Sequence, residues 1–162
     1  MFTIGVDCGL TGAIAIVRDG IQLVDLMDMP TVSNGKGTKV SRSVDGAAIA
    51  NYLSEFLGRH PTDYIAVAVE KTASMPGQGL ASTYSMGHSR GIVEGVVQAK
   101  RLPLHLVAPA QWKRAMGLTS DKELVRGEML RQFPSAPITR KKDHDRAEAI
   151  ALALYLHQEK FK

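Results

Sequence analysis

Phe2-Thr3-Ile4-Gly5-Val6-Asp7-Cys8-Gly9-Leu10-Thr11-Gly12-Ala13-Ile14-Ala15-Ile16-Val17 is the stretch on which the fold class turns. Phe2–Asp7 is β-rich and apolar and reads as a buried strand that ends on a carboxylate. Cys8-Gly9-Leu10-Thr11-Gly12 reads as a tight turn, and Ala13–Val17 as the returning strand. Arg18-Asp19-Gly20 is a hairpin signal leading into a third strand, Ile21–Met27. Two successive hairpins predict an antiparallel meander at the start of the chain.

Further along, the pattern changes to alternating strands and helices. Thr31–Ser41, rich in Ser, Thr, Gly and Lys, is expected to be a mobile loop. Ser43 is expected to cap a helix with Ala47, Ile49, Ala50, Leu53 and Leu57 at helical spacing. Asp63–Glu70 carries β alternation through Ile65, Val67 and Val69. A loop at Lys71–Gly79 follows, then a long helix from Leu80 to Lys100 and a strand at Pro103–Val107. Gln111–Met116 is expected to be a short helical segment. Ser120-x-x-Glu123 reads as a capping box opening a helix to Gln132, and a last helix spans Asp143–Gln158. Strands first, then strands alternating with helices, imply an α/β architecture with a mixed sheet flanked by helices.

Composition narrows the function classes. The 162 residues are the size of one domain, and 44% hydrophobic with 22% charged residues is the balance of a globular chain, not of a disordered tail or a fibre. No apolar run reaches the roughly 20 residues of a membrane span. No secretory signal is legible at the N-terminus, and the single cysteine, Cys8, excludes a disulfide framework, so a cytoplasmic location is expected. The net charge of +4 is small but unevenly placed. Pro30–Val44 holds Lys36, Lys39 and Arg42 with no acid. Lys100–Lys142 holds ten basic residues, among them Lys113, Arg114, Lys122 and Arg126, against three acids. Segregated positive charge points to a polyanion partner.

Four acids stand where structural acids are least expected. Asp7 ends the first strand, Glu70 ends the strand that follows the first helix, and Asp145 and Glu148 lie one turn apart near the start of the last helix. Neighbouring strand ends would bring Asp7 and Glu70 together, and the alanine-rich last helix would lie close to the sheet. Clustered carboxylates repel one another without a cation. Hard oxygen donors with no His/Cys cage point to Mg²⁺ or Mn²⁺. Two such ions roughly 3.5–4 Å apart suit in-line attack of water on a phosphodiester. Each acid also has a plain structural reading. Asp7 can bond its own turn, Glu70 can pair with Lys71, and Asp143, Asp145 or Glu148 can favour the helix dipole.

With these residues in view, the chain resembles the RuvC family of Holliday junction resolvases, in the RNase H-like superfamily. The resemblance rests on Ile4–Gly12, Val69-Glu70, Gly87–Gly91, Ala110–Arg114, Gly117–Lys122 and Asp145-Arg146-Ala147-Glu148-Ala149. It implies a single RNase H-like domain over 1–162, with a five-stranded mixed sheet. It also implies a homodimer that nicks two opposed strands of a four-way DNA junction, with two Mg²⁺ ions on Asp7, Glu70, Asp145 and Glu148. Lys122 is expected at the scissile phosphate; its charge opposes the dipole of the helix it opens. Lys36, Lys39, Arg42, Lys113, Arg114 and Arg126 are expected on the DNA backbone. The sequence departs from the family at Glu148, where bacterial members usually carry Asp, and at Lys71–Gly79, which lacks an aromatic residue that Met75 or Tyr84 would replace. These departures suggest a divergent, viral branch. Asp143, His144 and Asp145 are three ligand candidates in a row, of which Asp145 keeps the three-residue spacing to Glu148.

Gly87, Gly91, Gly95 and Ala99 form a smooth stripe on the long helix, for packing within the chain or for a dimer seam. Trp112 and Cys8 read as packing residues. The alternatives to a junction resolvase are an RNase H-like nuclease for other branched or hybrid substrates and an actin-like nucleotide-binding protein. The latter normally needs a second glycine-rich loop, which Glu70-Lys71-Thr72 lacks.

Overall fold

The computed structural model describes residues 1–35, 41–71 and 77–161. Strands β1 (Phe2–Asp7), β2 (Ala13–Arg18) and β3 (Gln22–Asp28) form the expected meander. A small ribbon, β4 (Thr31–Asn34) and β5 (Ser41–Val44), precedes helix α1 (Gly46–Arg59). Then come β6 (Ile65–Glu70), α2 (Leu80–Ala99), β7 (Leu104–Val107), α3 (Pro109–Ala115) and α4 (Lys122–Gln132). A short 3₁₀ turn at Lys141–Asp143 leads into α5 (His144–Lys160). The main sheet has five strands in the order β3-β2-β1-β6-β7, with β1, β6 and β7 mutually parallel and the other pairings antiparallel.

Side-chain alternation sorts the two faces of this sheet by size. On one face Phe2, Ile4, Val6, Ile14, Ile16, Val67 and Val69 bury large side chains against α1 and α2. On the other, Ala13, Ala15, Ala66 and Ala68 meet α5, which contributes Ala147, Ala149, Ala151 and Ala153, all fully buried. Small residues on both sides let α5 lie almost on the sheet. A Cβ on Gly5 would stand 2.1 Å from the Ala149 carbonyl oxygen, so only glycine fits there. The same parity puts Asp7, two residues beyond Gly5, and Glu70, two beyond Ala68, on the α5 face.

Three local expectations are corrected. Thr31–Ser41 is not simply a loop, because Thr31–Asn34 pairs antiparallel with Ser41–Val44. Ser43 lies inside that ribbon, and Asp45 caps α1 by accepting from the Ala48 N–H at 3.0 Å. Ser120 is not the cap of α4 either: Asp121 is, accepting from the Glu123 N–H at 2.8 Å. In both helices a carboxylate close to the expected hydroxyl takes the cap, as its charge favours the positive end of the helix dipole.

Candidate metal and DNA site

Asp7, Asp145 and Glu148 each present an oxygen within 4.8 Å of the others. β1 delivers Asp7 at its C-terminal end, where the carboxylate accepts from the Gly9 N–H at 3.0 Å. α5 delivers Asp145 and Glu148 from one face of its first turns. Glu70, one step past the registered pair Val6↔Val69, lies beside Asp7 but outside this group of three. It accepts from the Trp112 indole N–H at 3.1 Å. Trp112 is fully buried, as expected of a packing residue, yet its N–H also orients a carboxylate. The signal for that was available, since a buried indole N–H needs an acceptor.

Two ammonium groups reach into the acids. Lys113 Nζ donates to Glu148 Oε1 at 2.8 Å, and Lys122 Nζ stands 2.8 Å from Asp145 Oδ1 and 3.3 Å from Glu148 Oε2. Lys113 was expected on the DNA backbone, and the fold sets it inside the carboxylate cluster. Thr11, which the sequence reading did not single out, donates its hydroxyl to Asp145 Oδ2 at 2.8 Å. His144 Nε2 lies 3.0 Å from Asp145 Oδ1. Asp143 is outside the cluster and is held by Arg140, Nη2 to Oδ1 at 2.9 Å. Of the three consecutive candidates, Asp145 is the one in the cluster.

The remaining basic candidates are dispersed. Arg42 donates to Thr31 Oγ1 at 2.9 Å and lies near the Leu10 carbonyl. Arg114 is exposed at the end of α3. Arg126 is tied to Glu123 and to the Ile138 and Thr139 carbonyls. Lys36, Lys39 and Met75 lie outside the described residues. Tyr84 is exposed on α2, stacked on His88.

The electrostatics favour a cation. Burial, and then the neighbouring Asp145, Glu70 and Glu148 carboxylates, push Asp7 up to about 7 against the opposing bond from Gly9. Burial likewise raises Glu70, while the Trp112 bond lowers it. Burial acts to lower Lys122, but its bonds to Asp145 and Glu148 prevail and raise it. A donor set of carboxylate oxygens, one of them buried among like charges, fits a hard divalent ion.

The structural comparisons agree with this architecture. The chain aligns with Thermus thermophilus RuvC in complex with Holliday junction substrate at a TM-score of 0.65 and 21% identity, over 96% of this chain and 91% of that one. A second Thermus thermophilus RuvC structure aligns at 0.58 and 21%, over 96% and 92%. The yeast mitochondrial Holliday junction resolvase Ydc2, at 0.44 and 14% over 96% and 77%, is too distant to carry weight. Neither a family model nor a curated protein sequence matches the chain. A five-stranded mixed sheet between helices, superposable over nearly its whole length, gives this chain the RNase H-like fold of RuvC.

Proposed function

We propose that residues 1–162 form a single nuclease domain that resolves four-way DNA junctions by paired, metal-dependent nicks. The observation that carries the reading is the convergence of Asp7, Asp145 and Glu148, with Glu70 beside them, on this fold. Asp7, Asp145 and Glu148 would hold one Mg²⁺ or Mn²⁺ ion, and Asp7 with Glu70 a second. Two such ions supply an activated water and charge neutralisation at the leaving oxygen. The chain's own groups set the stage. Trp112 fixes the Glu70 carboxylate, and Thr11 fixes that of Asp145. Lys113 and Lys122 neutralise the acids without a metal, and are placed to turn to the phosphate when cations take over the carboxylates. Arg42 and Arg114 supply backbone contacts, as does Arg126 in α4, and Lys36 and Lys39 are proposed for the same role.

Paired nicks on a two-fold substrate need two sites, which a homodimer supplies by symmetry. The α2 stripe favours this. A Cβ added at Gly87, Gly91 or Gly95 would meet nothing within 4 Å among the described residues, so packing among these does not explain the glycines. The test is cleavage of a synthetic four-way junction against linear duplex and RNA–DNA hybrid, with and without Mg²⁺. Mg²⁺-dependent cutting of the junction alone supports the reading. Preference for the hybrid would instead favour an RNase H-like activity on that substrate.

A further inference from the structure

Beside the carboxylate cluster is a second feature that the metal chemistry does not use. A cavity of about 260 Å³ lies between the turn after β1, the β4–β5 ribbon and the start of α5. Asp145 forms one wall, so the cavity adjoins the cluster directly. Four basic side chains line it: Arg42, Arg140, Lys142 and Arg146.

These four are not equivalent. Arg146 is spent on Asp28, Nη2 to Oδ2 at 2.7 Å, and Arg140 on the buried Asp143. Those two pairs brace the walls. Arg42 has only neutral acceptors, the Thr31 hydroxyl and the Leu10 carbonyl. Lys142 is exposed and has no hydrogen-bond or ion-pair partner among the described residues. The Asp145 carboxylate on the far wall is already engaged by Thr11, Lys122 and His144. Two positive charges therefore face the cavity without a countercharge. A guanidinium and an ammonium lining one small cavity suit the two free oxygens of a phosphodiester.

We propose that Arg42 and Lys142 form a seat for the phosphodiester group that neighbours the cut one on the same DNA strand. The inference rests on the nuclease reading above and adds a subsite to it. DNA carries a phosphate at every nucleotide, so a strand with one phosphate at the carboxylates presents the next to an adjoining pocket. Such a contact fixes register without reading sequence. Its function is to hold the scissile phosphate over Asp7, Asp145 and Glu148.

The test is single-turnover cleavage, with Mg²⁺, of four-way junctions carrying one neutral methylphosphonate at each position flanking the nick. Wild type is compared with Lys142→Gln, Arg42→Gln, their double variant, and Arg131→Gln as a remote charge-loss control. Wild type should slow about tenfold with the methylphosphonate at one flanking position. The double variant should slow about tenfold on the unmodified junction, show little further loss at that position, and keep the wild-type circular dichroism and melting temperature. Lys142→Gln breaks no contact in the fold and keeps the comparison clean if Arg42→Gln disturbs the Leu10 turn. Wild-type cleavage rates in both single variants, or fully multiplicative losses from variant and methylphosphonate, would overturn the seat while leaving the nuclease reading intact. A wild-type chain that cuts no DNA overturns the nuclease reading and the seat together, and the wild-type lane separates that case from the previous one.

Discussion

Asp7 is buried among like charges, a conflict that the proposed cation would resolve. Its carboxyl is held near 7 in the folded chain, against an ordinary value of 3.8. A carboxyl raised on folding binds its proton more tightly in the folded state. It favours folding below 3.8, and that contribution is lost as the pH rises from there through about 7. At about 1.4 kcal/mol per unit, the full loss is on the order of 4 kcal/mol. The metal-free wild type should therefore lose melting temperature between pH 5 and 8 more steeply than Asp7→Asn. Mg²⁺ should restore stability to wild type at pH 8, by about 2.7 kcal/mol when the ion is at a hundred times its dissociation constant. Parallel melting curves for the two proteins across that range would contradict the origin given for the shift. For catalysis, Asp7→Asn, Glu70→Gln, Asp145→Asn and Glu148→Gln should each lower cleavage by ~10²-fold or more, with junction binding preserved, because affinity comes mostly from phosphate contacts. Gel-shift and cleavage assays on the same samples check both halves; full turnover in Glu70→Gln would remove the second ion. Trp112→Phe keeps the ring in the core but deletes the N–H on Glu70. It should cut the rate about 10–100-fold without weakening DNA binding, and a loss of affinity instead would assign Trp112 a purely structural role.

At the scale of elements, the close approach of α5 to the sheet aligns the site. Gly5 faces the backbone of α5 at Ala149 and Ala153, so Gly5→Ala forces main chain apart where no side chain can yield. Overpacking of this kind costs about 1–3 kcal/mol, occasionally more. It also lifts Asp145 and Glu148 away from Asp7. Gly5→Ala should therefore lose cleavage out of proportion to its loss of stability, measured at a temperature where denaturant titration shows the variant folded. Retained activity with a lowered melting temperature would mean that the site tolerates a displaced helix. The cluster also draws α3 and α4 together: Lys113 and Lys122 come from different helices and meet over α5 on Glu148.

At the scale of the molecule, a single chain presents one carboxylate cluster among its described residues, whereas a four-way junction needs two coordinated cuts. In the proposed homodimer, the open side of Gly91 would be the place for a second backbone. Gly91→Leu meets no atom of the described residues within 4 Å at its Cβ, so it should fold normally yet disturb pairing. Sedimentation should show a wild-type dimer and a weakened or monomeric variant with unchanged circular dichroism. A wild type that stays monomeric at micromolar concentration with junction DNA bound would make the protein a single-strand nickase. No helix among the described residues is long and apolar enough to cross a membrane.

The meander was legible in Phe2–Val17 because hairpin signals and apolar alternation are local properties of the chain. The four acids were legible for a related reason: each ends a strand or opens a helix turn, and a carboxylate in such a place stands out against apolar neighbours. The spacing of Asp145 and Glu148 follows from helix geometry alone. What local pattern did not contain was orientation across elements. Whether Asp143 or Asp145 faces the sheet depends on Arg140, which takes Asp143 from outside the helix. That Lys113 belongs with the carboxylates, and that Trp112 serves Glu70, depends on where α3 lands after β7. The cap of α1 is displaced from Ser43 to Asp45 because strand pairing takes Ser43, and α4 is capped one residue past Ser120, where the Asp121 carboxylate accepts from the Glu123 N–H. The basic cavity exists only where the ribbon, the turn after β1 and α5 meet, three segments far apart in sequence. Sequence determined which residues have unusual chemistry; tertiary packing decided which of them share a space, because distances between elements are set by the side chains that fill the gap.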